Sequence, residues 1–176
     1  LHKGADTIFE HYNIERQIKS SFGRSVSMKK GAYLIIEHTE ALHVIDVNSG
    51  TRTNNSDSQE ANALEVNLAS AQEVARQLRL RDMGGIIVVD FIDLHTAENR
   101  KKLFEALKEF MKDDRAKHKI LPPSRFGLIE ITRQRVRPEM NIKTVENCPA
   151  CDGKGKVEAT VLIVDEIEDK DDLKFL

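Results

Sequence analysis

Two aspartates stand where apolar stretches end. In Leu42-His43-Val44-Ile45-Asp46-Val47-Asn48-Ser49-Gly50, alternation predicts a strand. Side chains two apart in a strand share a face, so Leu42, Val44, Asp46 and Asn48 project together. A strand that turns polar just before a loop is where α/β proteins place sites. The second stretch is Ile87-Val88-Val89-Asp90-Phe91-Ile92-Asp93. Burying an aspartate after so apolar a run is costly unless it is paired, hydrogen-bonded or metal-bound. Asp93 falls on the opposite face from Asp90 if the strand continues. Two carboxylates and the Asn48 amide oxygen suit Mg²⁺, which takes one or two carboxylates, keeps several waters and binds phosphate oxygens. Such an ion activates water and offsets charge on a phosphodiester. The alternative is that Asp46 caps the following loop, while Asp90 caps a helix start near Leu94 or pairs with an arginine. His43, His95 and His118 are weighed as acids or bases and read as surface or packing residues.

A second group is Cys148-Pro149-Ala150-Cys151-Asp152-Gly153-Lys154-Gly155. The spacing and glycines suit a knuckle that turns two thiolates toward one Zn²⁺. Structural zinc wants four ligands, and the chain has no second pair. Either a histidine or carboxylate completes the shell, or two chains each give a pair, which predicts a homodimer on a two-fold axis. A redox pair would open a helix after a strand, and Gly153 and Gly155 argue against a helix there.

Charge is unevenly spread. Residues 158–176 hold seven acidic and two basic side chains, −5, while the other residues carry +3. Residues 115–143 hold eight lysines and arginines against Glu130 and Glu139 alone, a concentration that suits a polyanionic partner. Ion pairing on a solvated face explains it equally well. Arg125, Arg133, Arg135 and Arg137 are the candidates for phosphate contacts, and the last three sit two apart as if on one strand face.

Elements that would position these groups follow from periodicity. The 176 residues allow one ordinary domain and a short appendage. Apolar residues at 40% and charged residues at 32% describe a soluble globular chain. No apolar run nears the roughly 20 residues of a membrane span, and no signal-peptide pattern opens the chain. The start at Leu1, with Met28 as the first methionine, suggests excision from something longer. The two cysteines suggest a reducing, cytoplasmic setting.

A short amphipathic segment in residues 1–24 carries Ile14, Ile18 and Phe22, with Asn13 as N-cap. Strands are predicted near 24–29, 32–37 and 41–48. A helix is predicted over residues 58–82, with Leu64, Leu68, Ala71, Ala75 and Leu78 as its stripe and Gly84-Gly85 as its stop. Residues 86–91 should form a strand buried on both faces. Thr96 should cap a second helix reaching residue 117, and residues 125–136 alternate as a further strand. Strand–helix–strand at this length implies a right-handed parallel crossover, so the fold class is α/β (α+β): a mixed sheet with packed helices.

At this point the chain resembles the bacterial ribonuclease E/G endoribonucleases. The resemblance is carried by Glu40-Ala-Leu-His-Val-Ile-Asp46-Val-Asn48-Ser-Gly, by the run from Asn67 to Gly85, and by Ile86-Ile-Val-Val-Asp90-Phe-Ile-Asp93. Ser124-Arg-Phe-Gly-Leu-Ile-Glu-Ile-Thr-Arg-Gln-Arg and Cys148-Pro-Ala-Cys151 complete it in the family's order. It implies that Asp46 and Asp90 hold a catalytic Mg²⁺ supported by Asn48. It also implies hydrolysis of single-stranded, often A/U-rich RNA, leaving a 5′-phosphate and a 3′-hydroxyl. By the same resemblance residues 1–23 end an RNase H-like subdomain and residues 24–145 form a DNase I-like subdomain. Residues 146–157 would then be a zinc link shared by two protomers through Cys148 and Cys151. Residues 158–176 would begin a small domain that completes oligomerisation, to a tetramer in a full-length protein. The family's S1 and 5′-sensor domains would precede Leu1.

Two other readings compete. One is a non-catalytic RNA-binding and zinc-linked dimerisation module, in which the aspartates are caps. The other is a thiol redox protein with a reactive cysteine and no zinc.

Overall fold

The computed structural model describes residues 7–50 and 56–140. Two short helices open it, α1 (Ile8–His11) and α2 (Ile14–Phe22). Thr7 and Glu10 close a reciprocal capping box on α1, satisfying two amides that a helix start leaves unpaired. Asn13 does precede α2, but it lies in the left-handed region at φ 53° and makes no side-chain cap bond.

A meander of β1 (Ser25–Ser27), β2 (Tyr33–His38) and β3 (Leu42–Asn48) follows, antiparallel throughout. The turn between β2 and β3 is closed by the Thr39 hydroxyl, which donates to the Leu42 carbonyl and accepts from its amide. Gly50, at φ 70°, passes so near Gly31 that an added Cβ would stand 2.5 Å from a backbone oxygen, so glycine is required there.

From β3 the chain runs through α3 (Ser56–Leu80) to β4 (Gly85–Asp90), which lies parallel to β3 and next to it. Helix α4 (Ala97–Met111) is capped by Thr96, whose hydroxyl accepts from the Asn99 amide. Two strands close the sheet, β5 (His118–Ile120) and β6 (Ile129–Arg133), in the order β1-β2-β3-β4-β6-β5.

The parallel step holds for β3 and β4 but not for β4 and β6. Strand β6 is antiparallel to β4 because β5 intervenes and the chain turns back as a hairpin. Helix α4 also stops six residues before residue 117. Asp114 there accepts the Ala116 amide two residues on, a local bond that competes with helix.

Burial alternates along the strands, and it covers one face of the sheet. Leu34, Ile36, Ile45, Val47, Ile87, Val89, Ile129 and Ile131 form the core with Val74, Leu78, Leu103, Leu107 and Met111 from the helices. Strand β4 is therefore not buried on both faces: Ile87 and Val89 are fully covered, whereas Ile86 is 48% exposed. Among the described residues, the face opposite the helices stays open.

Candidate active site

Asp46 and Asp90 lie on that open face. They are register partners at the C-terminal ends of the two adjacent parallel strands. Alternation demands this placement, since Ile45, Val47 and Val89 point inward. The Asn48 amide donates to Asp46 Oδ2 at 2.8 Å, fixing that carboxylate's orientation. Burial first, then the charge of Asp46, then that of Asp93 raise the Asp90 carboxyl above the usual range. All three influences raise it, and no described residue supplies a cation to offset the repulsion between the two carboxylates. That is the electrostatic state a bound cation relieves. Neither the loop-capping nor the arginine-pairing alternative appears among the described residues. Strand β4 ends at Asp90, so the chain is free to bend, and Asp93 joins the acidic group from the following loop.

Three residues hold that loop, and sequence reasoning missed all of them. Asn67, fully buried in α3, donates to the Ile92 carbonyl at 2.7 Å and accepts its amide at 3.0 Å. Glu60, two turns earlier, accepts from the His95 amide, the Thr96 amide and hydroxyl, and Asn99. The His95 amide first, then the Asn99 amide, hold the Glu60 carboxyl down to about 2. Arg100 donates to the carbonyls of Leu94 and His95. The segment after Asp90 is thus tied to both helices at its backbone.

Beside it opens a cavity of about 360 Å³ whose lining includes Asp93, Arg100, Ser124, Arg125 and Phe126. The turn over 124–127 closes with the Gly127 amide on the Ser124 carbonyl, and Gly127 sits at φ 82°. It presents Phe126 outward, 85% exposed.

The four arginines do not come together. Arg125 is exposed and near the aspartate end, because β6 begins where β4 finishes. Arg133 is a correction: its inward phase with Ile129 and Ile131 buries it, and it is not a phosphate contact. It makes a two-pronged bond to Asp114 and donates to the Met83 carbonyl. Nor do the last three share a strand face, since β6 ends at Arg133. Arg135 and Arg137 are exposed at the other end of β4, roughly 17 Å away at 3.3 Å per residue; Arg135 packs over Gly84. Among the histidines, His43 is buried at that far end against the Gly84 carbonyl, and His118 pairs in register with Arg133. His95 is exposed in the loop after Asp90. Cys148 and Cys151 lie outside the described residues.

Among the described residues no helix is long and apolar enough to cross a membrane. Residues 1–136 match the family model described as Ribonuclease E/G family. Ribonuclease E of Escherichia coli is 44% identical over 157 residues, covering 89% of this chain and 15% of that protein. A chloroplastic ribonuclease E/G-like protein of Arabidopsis thaliana is 44% identical over 169 residues, 96% of this chain and 17% of that protein. Ribonuclease G of Salmonella typhimurium is 36% identical over 166 residues, 94% of this chain and 34% of that protein. The chain thus spans about a sixth of the first two proteins and about a third of the last.

Proposed function

The chain belongs to the ribonuclease E/G family, and from that premise we propose that it carries the hydrolytic centre of an Mg²⁺-dependent endoribonuclease acting on single-stranded RNA. The observation that carries the proposal is the adjacent pair Asp46 and Asp90, side by side on one sheet face with no cation beside them among the described residues. The donor set fits Mg²⁺, which takes one or two carboxylates and leaves its other positions to water and phosphate oxygens.

Asp46 and Asp90 would hold the ion. When bound, Mg²⁺ lowers the pKa of a coordinated water and offsets charge at the phosphodiester. The chain's own residues do the rest. Asn48 holds one Asp46 oxygen, and the other would ligate the ion. Asn67, Glu60 and Arg100 fix the backbone leaving Asp90, so that its carboxylate starts close to its working position. Arg125 supplies a cation for the RNA backbone at the same end of the sheet. Phe126 offers an aromatic face on which a splayed base can stack. Water oxygen would bond to phosphorus as the bond from phosphorus to the 3′ oxygen breaks, and the water's protons pass one to the 3′ oxygen and one to solvent, leaving a 5′-phosphate and a 3′-hydroxyl.

The wider assignments belong to the same reading. Residues 24–145 form a DNase I-like subdomain after the end of an RNase H-like one, residues 1–23. Cys148 and Cys151 share one Zn²⁺ with the same pair of a second copy, giving a homodimer, and residues 158–176 begin a small domain that extends the assembly to a tetramer. The setting is cytoplasmic. These assignments rest on the resemblance set out above, and the cytoplasmic setting on the reducing environment that the two cysteines suggest.

The test is cleavage of a 5′-labelled, A/U-rich RNA at protein excess, in Mg²⁺ against EDTA, with end-group analysis. Wild type should cut only in Mg²⁺, and Asp46→Asn and Asp90→Asn should not. Undiminished cutting by both variants would overturn the assignment. RNA binding without cutting in any metal would favour the binding-module reading.

A further inference from the structure

We propose that His38, His43 and Glu139 form a second metal site, for a divalent transition ion of the Zn²⁺ class, separate from the aspartate pair. His38 and His43 are register partners on β2 and β3. They lie in phase with the inward residues Ile36 and Ile45, on the helix-covered face. Asp46 and Asp90 occupy the other face and the other end of the sheet. Glu139 arrives from the segment after β6, and the neighbouring Met140 amide donates to the Arg81 carbonyl. One ligand atom from each of the three residues lies within 4.8 Å of the others.

Proton accounting favours an ion over a simple hydrogen-bonded group. His43 Nε2 lies 3.1 Å from the Gly84 carbonyl, which can only accept, so this nitrogen carries the hydrogen. Glu139 Oε2, 3.6 Å from the same nitrogen, favours that tautomer too. In that tautomer the lone pair of Nδ1 faces His38 Nδ1, 2.8 Å away. Metal-binding histidines characteristically donate their second nitrogen to a carbonyl or carboxylate in this way. His38 Nδ1 also lies 2.9 Å from Glu139 Oε1. A single hydrogen on His38 must therefore serve two acceptors at once. Replacing that hydrogen with a dication satisfies all three ligands.

The geometry is close to what such an ion needs. Bonds of about 2.0–2.1 Å in a tetrahedral shell set donors about 3.3 Å apart, so the histidine contact need open by only about half an ångström. Two imidazoles and one carboxylate suit Zn²⁺, Ni²⁺, Co²⁺ or Cu²⁺ rather than Mg²⁺. The Arg81 guanidinium faces this group and opposes a cation, but it is tied to Gln77 and to the carbonyls of Ser21 and Gly23. Glu139 supplies the compensating charge. A bound ion would pin the segment leaving β6 to the β2–β3 hairpin, as a structural clasp at a distance from the chemistry.

The test is a Zn²⁺ titration of the full chain, read through the histidine ring nitrogens by NMR. A Cys148→Ser/Cys151→Ser variant, in which the cysteine pair cannot take the metal, gives the stoichiometry. One equivalent should bind, moving Nδ1 of His38 and His43 to metal-bound shifts while His43 keeps its Nε2 hydrogen. His38→Gln and Glu139→Gln, at partly exposed positions, should each weaken binding roughly tenfold or more, and Asp90→Asn should leave it unchanged. His43 is buried and its replacement risks the fold, so the ring-nitrogen shifts in the unaltered chain report on it instead. Unmoved Nδ1 signals at saturating Zn²⁺, or equal affinity in the His38 and Glu139 variants, would overturn the proposal.

Discussion

Replacing Asn67 by alanine should loosen the active-site loop and lower stability together. Asn67 is fully buried, and its amide group makes both of its bonds to one residue, donating to the Ile92 carbonyl and accepting the Ile92 amide. Alanine removes both partners and leaves two backbone groups under partial cover. Each unsatisfied buried group costs about 1–3 kcal/mol. Partial access of water to Ile92 puts the sum near about 2–4 kcal/mol. With a urea dependence of about 2 kcal/mol per molar, the unfolding midpoint should fall by roughly 1–2 M. Amide exchange at Ile92 should accelerate by about thirtyfold for each 2 kcal/mol of lost local protection. The loop follows Asp90 directly, so Mg²⁺ affinity should fall as well. A stability loss below about 0.5 kcal/mol with unchanged exchange at Ile92 would refute the view that this clamp holds the loop.

Other perturbations separate structural from binding roles. Arg133→Met leaves the Asp114 carboxylate, 2% exposed, without its partner, and should cost about 3–5 kcal/mol in urea unfolding. Pairing it with Asp114→Leu should recover much of that loss. Burial pushes the Asp114 carboxyl up, but Arg133 and the Ala116 amide outweigh it and hold it low. Glu60 predicts a pH effect. Its folded carboxyl is depressed from 4.5 to about 2, so its contribution is present above the unfolded value and lost as pH falls through the folded one. Glu60→Gln should flatten the decline in urea midpoint across that acid window. Phe126→Ala should leave stability within about 0.5 kcal/mol yet weaken single-stranded RNA binding by about 1–3 kcal/mol, measured by fluorescence anisotropy. Arg125→Ala should lower the salt slope of that binding by about 0.7.

The adjacency of Asp46 and Asp90 was legible in the sequence because each aspartate breaks an apolar strand at its end, and alternation alone assigns its face. The supports were not, because Glu60 and Asn67 are polar residues within α3 and Arg100 lies in α4, all far in sequence or phase from the aspartates. Asn67 and Gln77 lie within or beside the helix's apolar stripe and are fully buried. A polar residue inside such a stripe was the signal available. Glu60 and Asn67 are seven residues apart, two turns on one side of α3, so a single helix face reaches one loop. Arg133 was misread by weighing charge density over alternation: its spacing from Ile129 and Ile131 already points it inward. Strand β5 escaped notice because three residues carry little periodicity of their own and gain their form from pairing with β6. The grouping of His38 and His43 depends on the register across the β2–β3 turn. Glu139, about a hundred residues later, joins them only through the folded sheet.

The most direct test of the central claim is to substitute Mn²⁺ for Mg²⁺ and map its paramagnetic broadening on the chain by NMR. One ion should broaden the signals of Asp46, Asn48 and Asp90 first, Mg²⁺ should reverse the effect by competition, and Asp90→Asn should abolish it. Absence of broadening at these residues, or broadening that persists unchanged in Asp90→Asn, would contradict the assignment of Asp46 and Asp90 as the metal-holding pair.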